Sequence, residues 1–404
     1  MFNPTLSTRL HIDGAEFKFS PHPVVPTLVW GQEGRHAIVY RIEPTEKQRR
    51  PLDAPNGTGY ALKVFRPVFR HPGLLKSAEA LRWAHELPGM QVCNQVVITR
   101  DSHPDLVGEY EDLDYAMVMP WIDGQTWFDF LQTKERITLD ESRAMAEHMA
   151  WVLYALEMNN LAHCDLSSGN VIIDPGQDRI HLVDVEDLYS PWLSTPPMVP
   201  AGTPGYQHRE ANEIGQWRPA GDRFAGAVLM AEMLGWAHPE VREHAFSESY
   251  FAPGELQRNS ERFEILIDVL DMYDAGFAEA FEEAWSSTRL ESCPPLKSWY
   301  DLMDTLPREP VAEWAPLDPE QFEAETERPV EVAVPVAQQS TAVPLGGVPS
   351  SQSAPAAQRN TNLLRRLFGK GCRTITFITG AVLIVACFLA VLAVQWSFAK
   401  GILH

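Results

Sequence analysis

The sequence predicts an α+β fold of two lobes, a small β-rich one followed by a larger helical one, spanning residues 27–306. Short alternating apolar runs dominate its first part and longer runs with a 3.6-residue period dominate the second. Beyond residue 307 the composition shifts to Pro, Ala, Val and Glu with no sustained period. A chain of 404 residues can bury a sizeable core, and 45% hydrophobic content is globular. A net charge of −21 argues against nucleic acid as a partner. Its cysteines, Cys93, Cys164, Cys293, Cys372 and Cys387, are scattered and odd in number, which fits a reducing compartment better than a disulfide framework or a zinc site.

Residues 1–26 are read as an N-terminal extension without the apolar core of a signal peptide. The run 27–44, "TLVWGQEGRHAIVYRIEP", predicts two strands around a glycine-containing turn. "YALKVFRP" (60–67) predicts a short apolar strand carrying one lysine. A helix over 73–87 follows from Leu74, Leu75, Ala78, Leu81 and Trp83, and "DYAMVMPWIDG" (114–124) reads as a buried strand ending in a proline and a turn. Thr138, with Glu141 three residues on, predicts the N-cap of a helix over 138–161 whose buried stripe includes Met145, Met149, Val152 and Leu156. "NVIIDPGQDRIHLVDVED" predicts a hairpin, and "DRFAGAVLMAEMLGW" (222–236), apolar nearly all round, predicts a buried helix.

The stretch "AHCDLSSGNVIID" (162–174) sets Asp165 and Asn170 just before an apolar run. Turn chemistry alone would explain such residues in a helix-to-strand loop. The alternative is a phosphoryl-transfer site in which one loop projects a base and a metal ligand.

The order of motifs resembles the protein-kinase superfamily, over residues 27–306. "ALKVF" resembles its lysine-bearing strand, "HCDLSSGN" its catalytic loop and "LVDVED" its metal-binding segment. "GTPGYQHRE" resembles the end of its activation segment, and Asp222 opens a helix placed like the one that braces the catalytic loop. The resemblance implies a two-lobed protein-kinase-like fold and an enzyme using ATP and Mg2+. Asp165 would be the catalytic base, Lys63 the cation for the α- and β-phosphates, and Asn170 and Asp184 the metal ligands. Glu79 is expected to pair with Lys63 from the helix, with Glu86 nearby as the other choice, and Glu210 to pair with Arg289. His163 reads as a hydrogen-bonded strut. Nucleotide contacts are implied for Gly31, Gly34, Val39, Ala61, Lys63, Met119, Pro120 and Ile122, with Met119 as gatekeeper, the Pro120 carbonyl and the Ile122 N–H facing adenine.

Departures from the family's pattern bear on function. Ala37 stands where a third loop glycine would sit, and Cys164 where many kinases carry an arginine that receives an activation-loop phosphate. The metal-binding triplet reads Asp184-Val185-Glu186, whose glutamate should restrict a backbone flip. These changes imply a site organised without loop phosphorylation, or a decayed one. Ser167, two residues after Asp165, drifts toward small-molecule phosphotransferases, whereas Thr203 and Glu210 keep the segment that seats a peptide. The expectation is a protein serine/threonine kinase; a pseudokinase scaffold and a small-molecule phosphotransferase are the alternatives. Ser190, Ser194 and Thr195 are possible autophosphorylation sites.

Residues 307–362 read as a flexible linker and 363–373 as a basic juxtamembrane segment. The 26 uncharged residues 374–399 exceed the ~20 needed to span a bilayer as a helix. Arg359, Arg365, Arg366, Lys370 and Arg373 then keep the kinase-like domain on the cytoplasmic side, of a bacterial plasma membrane by expectation, with membrane-proximal proteins as substrates. Ala386 and Ala390 are a small-xxx-small step through which anchors could pair into a homodimer, and Cys372 is a possible lipidation site.

Overall fold

The computed structural model describes residues 2–46, 59–174, 179–196 and 198–306. The expected linker, juxtamembrane segment and membrane span (307–399), with Cys372, lie outside them, as does the turn at 175–178. Among the described residues no helix is long and apolar enough to cross a membrane.

The chain begins with a seven-stranded antiparallel sheet. Its strands are β1 (Arg9–Ile12), β2 (Ala15–Phe19), β3 (Gly31–Glu33), β4 (Ala37–Pro44), β5 (Tyr60–Phe65), β6 (Val96–Val97) and β7 (Met117–Pro120). They run in the order β1-β2-β4-β5-β7-β6, with β3 also on β4. β1 and β2 fall in the stretch read as an extension, so the sheet begins earlier than the periodicity indicated. Their alternation of buried Leu10, Ile12, Ala15, Phe17 and Phe19 is short but regular.

β5 is central and buried on both faces, and its two-residue period divides its side chains. Tyr60, Leu62 and Val64 join Phe17, Ile42 and Val118 in a core on one face, while Ala61 and Phe65 join the main core on the other. Lys63 therefore points the same way as Ala61 and Phe65. On that face Val39 lies opposite Lys63 in β4, and Met117 and Met119 lie opposite Lys63 and Ala61 in β7.

Between these strands come α1 (Gly73–Leu81) and α2 (Pro104–Glu109). α1 buries Leu74, Ala78 and Leu81 as the spacing requires; Trp83, expected on its apolar face, lies in a following 3-10 turn and stays 38% exposed.

After β7 the structure becomes mainly helical. A small sheet pairs β8 (Gln125–Thr126), β9 (Val171–Asp174) and β10 (Arg179–Leu182); β9 and β10 are the two arms of the expected hairpin. Around it lie α3 (Trp127–Thr133), α4 (Leu139–Met158), α5 (Ala211–Ile214), α6 (Arg223–Gly235), α7 (Pro239–His244), α8 (Glu261–Tyr273), α9 (Ala275–Ser286) and α10 (Leu296–Thr305). Thr138 caps α4 as expected: its hydroxyl accepts from the Glu141 N–H while the Glu141 carboxylate accepts from the Thr138 N–H.

α6 is the centre of this half. Every residue from Phe224 to Gly235 is buried, packed against α4, α8 and α9. Each buried Leu, Val, Met or Phe there contributes about 1.5–3 kcal/mol by leaving water. Gly226 lets α4 approach, since a Cβ there would stand 2.7 Å from Leu153 Cδ1.

Candidate active site

Two scaffolds, the lysine-bearing face of the first sheet and the loops around the second, meet where Lys63 contacts Asp184 and Glu186. Residues 162–170 run from the end of α4 into β9. Asp222, at the N-terminus of α6 and 2% exposed, accepts hydrogen bonds from the backbone N–H groups of both His163 and Cys164. Those bonds fix Cys164 at φ 65, a left-handed conformation that non-glycine residues adopt at a cost. His163 is the expected strut, its Nε2 2.8 Å from the Val183 carbonyl.

Asp165 follows directly. Its Oδ1 accepts from Thr203 Oγ1 at 2.8 Å. Asn170 Nδ2 donates to the Asp165 carbonyl at 2.8 Å, and the Asn170 carbonyl accepts from Val183 N–H, one residue before Asp184. Burial raises the pKa of Asp165 above the usual carboxylate range, against the pull of the Thr203 hydroxyl. That direction makes Asp165 a stronger base than an ordinary aspartate.

Asp184 is also left-handed, at φ 61, and starts the single 3-10 turn Val185–Asp187. The turn divides its side chains between the core and Lys63. Val185 is buried in the core, while Asp184 and Glu186 both reach Lys63. Lys63 Nζ stands 2.9 Å from Asp184 Oδ1 and 2.8 Å from Glu186 Oε2. Burial alone would depress the lysine; the two carboxylates more than offset it and raise its pKa, so it is a fixed cation. The Lys63 charge in turn lowers the pKa of Asp184. Asp187, by contrast, is pushed up to about 6 by burial and by the charges of Glu186 and Asp165.

The Glu79 expectation is corrected here. The face that α1 turns inward is Leu74, Ser77, Ala78 and Leu81, leaving Glu79 on the solvent side of the helix; Glu86 is exposed as well. The sequence hint was the acidic residue two positions after Asp184, which read only as a restriction on the backbone.

Other expected residues fall as follows. Val39, Ala61, Lys63 and Met119 share the cleft-facing side of the sheet, and Pro120 ends β7 with Ile122 two residues on. Gly31 belongs to the opposite side: a Cβ there would meet the Tyr40 ring at 2.9 Å, so it is small for packing reasons. Gly34 enters the two-residue turn Arg35–His36 between β3 and β4, its N–H donating to Ala37 O. Arg66 clamps that turn, reaching Glu33 Oε1 at 2.6 Å and the Arg35 carbonyl at 3.1 Å, a contact the motif did not announce. Glu210 pairs with exposed Arg289 at 3.7 Å, but the tighter holds are Arg218 at 3.4 Å and the Leu290 N–H at 2.9 Å. Ser190 is fully buried, so of the three possible modification sites Ser194 and Thr195 are the exposed ones.

Among the described residues no cluster of three or more His, Cys, Asp or Glu side chains stands ready to hold a metal alone. The donors that Asp184 and Asn170 offer are hard oxygens. Asp184 is 52% exposed, and Asn170 commits its amide nitrogen to the Asp165 carbonyl, so its side-chain oxygen is the atom it could offer a metal. That set fits Mg2+, which takes one or two protein oxygens and completes its shell with phosphate and water. No protein-family model matches this chain, and no curated protein matches it.

Proposed function

We propose that this chain is an ATP- and Mg2+-dependent phosphotransferase with the two-lobed protein-kinase-like fold, acting on serine or threonine hydroxyls of proteins. The observation that carries the reading is the convergence of Lys63, Asp165, Asn170 and Asp184 from separate elements onto one cleft. Phosphoryl transfer asks little covalent chemistry of a protein and much positioning, and each of these groups is positioned by a second one.

In this reading Asp165 accepts the proton of the attacking hydroxyl, with Thr203 fixing the orientation of its carboxylate. Lys63 holds the α- and β-phosphates. Asp184 and Asn170 would hold Mg2+, which when bound neutralises charge on the phosphate oxygens. Adenine would lie against Val39, Ala61 and Met119, toward the Pro120 carbonyl and the Ile122 N–H. The Thr203 contact to Asp165 and the Glu210 anchor favour a protein substrate over a small molecule. The uncharged run 374–399 extends the proposal to an enzyme held at a membrane, with substrates close by.

A second reading, nucleotide binding without transfer, draws on the ion pair between Asp184 and Lys63, which engages the proposed metal ligand. One experiment separates the two. The full chain is incubated with γ-labelled ATP, Mg2+ and a generic protein substrate, beside Asp165→Asn and Asp184→Ala. Label on protein, lost in both variants, is the expected result. ATP bound without transfer turns the assignment to the scaffold, and ATP consumed only with an added metabolite turns it to a small-molecule kinase.

A further inference from the structure

We infer that Glu186, on the metal-binding turn itself, is the positioning residue that anchors Lys63, in the place that a carboxylate on α1 would otherwise fill. The part of this inference that concerns phosphate rests on the phosphotransferase reading; the anchor itself does not.

A lysine that is 6% exposed needs a carboxylate to stay charged and aimed. Asp184 and Glu186 are its ion-pair partners among the described residues. They differ in surroundings. Asp184 is half exposed to the cleft, whereas Glu186 is 13% exposed and lies behind it. A metal drawing Asp184 toward phosphate would leave Glu186 as the lysine's remaining partner.

α1 cannot supply a substitute. Its inward stripe, Leu74, Ser77, Ala78 and Leu81, is spaced i, i+3, i+4, i+7 and carries no acid. Between that stripe and Glu186 is a cavity of about 10 Å3, too small to admit a second carboxylate. Glu186 Oε1 is buried there without a hydrogen-bond partner among the described residues, so its other oxygen, Oε2, carries the contact to Lys63. The turn from Asp184 at φ 61 through buried Val185 sets the direction of Glu186, and glycine at that position could not make the contact.

The consequence is regulatory. Lysine anchor and metal ligand share one turn, so Lys63 is positioned wherever that turn is formed. α1 offers Lys63 no acid, so a switch that swings this helix has no direct charge contact to control and would act on the pair only through its packing against the turn.

The test uses the full chain and two readouts. Melting temperatures are measured for Glu186→Gln, Lys63→Met, Glu79→Gln and the double variants that combine each glutamate change with Lys63→Met. Glu186→Gln should lower the melting temperature by roughly 5 °C, and its effect should be much smaller once Lys63 is Met. Glu79→Gln should shift it by less than about 1 °C, additively with Lys63→Met. In kinetics, Glu186→Gln should lower kcat/KM for ATP by about 10–100-fold, chiefly through KM, with Glu79→Gln within twofold. Coupling of Lys63 to Glu79, or additivity between Lys63 and Glu186, overturns the inference. A wild-type chain that couples Lys63 to Glu186 yet transfers no phosphate upholds the anchor and removes the phosphotransferase reading instead.

Discussion

The two sides of the cleft hold their functional groups by different means. On the helical side, residues 163–170 are tied by hydrogen bonds to backbone: Asp222 to two N–H groups, Asn170 to the Asp165 carbonyl, His163 to the Val183 carbonyl. On the sheet side, Lys63 is held by side-chain ion pairs, and next to them lies the small cavity under α1. Backbone-directed bonds from a buried helix leave a loop one conformation. Ion pairs to a half-exposed aspartate can be exchanged for others. On the phosphotransferase reading proposed above, the difference would separate a preformed platform for the proton acceptor, Asp165, from a cation and metal ligand, Lys63 and Asp184, that trade partners when phosphate binds.

The comparison breaks most visibly at Asp222. Asp222→Ala leaves the N–H groups of His163 and Cys164 buried without acceptors and releases a left-handed residue. It should cost about 4 kcal/mol in denaturant unfolding and abolish transfer. Asp165→Asn comes next. It should leave stability within about 1 kcal/mol of wild type; on the phosphotransferase reading it should also lower turnover about 10²–10⁴-fold, because it would remove the proton acceptor and little of the platform.

Acidity sharpens the same contrast. Glu232 of α6 is wholly buried among neutral donors, Trp127 Nε1, Tyr206 OH and the Tyr250 N–H, and burial pushes it up to about 7. The folded chain then keeps a proton that the unfolded chain sheds near 4.5. Its stabilising contribution is present below that pH and is lost as pH rises through about 7, on the order of 3 kcal/mol. Unfolding followed against pH should show this loss, and Glu232→Gln should flatten it. His148 and His181, held down to about 4 by burial, act oppositely: their contribution is present above about 6.5 and fades as pH falls through about 4. If Asp165 is the proton acceptor proposed above, it must be ionised, and the acid limb of turnover should lie above 3.8, the ordinary aspartate value.

The smallest effects concern Glu210. Arg218→Ala, at a guanidinium 15% exposed, should cost about 1–2 kcal/mol, and Arg289→Ala, at one 66% exposed, less than about 0.5 kcal/mol.

Much of this was legible because it is local. The Thr138–Glu141 cap, the all-apolar α6 and the run of β5 each follow from spacing within a few residues. The resemblance of the motif order pointed to Lys63, Asp165, Asn170 and Asp184 together, and the structure links them through the Lys63–Asp184, Asn170–Asp165 and Asn170–Val183 contacts. What escaped is set by long-range geometry. Which carboxylate meets Lys63 depends on the φ of Asp184, which no periodicity reports; the apolar stripe Leu74, Ala78 and Leu81 of α1 already turns Glu79 outward, against what the resemblance implies. Arg218 displaced Arg289 as the closer partner of Glu210 for the same reason. β1 and β2 were passed over because their alternation, regular but only four and five residues long, sits before the first recognisable motif.

The most direct measurement of the central claim is a calorimetric titration of the full chain with a non-hydrolysable ATP analogue, with and without Mg2+, beside Lys63→Met and Asp184→Ala. The account predicts binding that Mg2+ strengthens, weakened by Lys63→Met, with the Mg2+ dependence lost in Asp184→Ala. No binding by the wild-type chain, or binding indifferent to Mg2+ and to both substitutions, would contradict it.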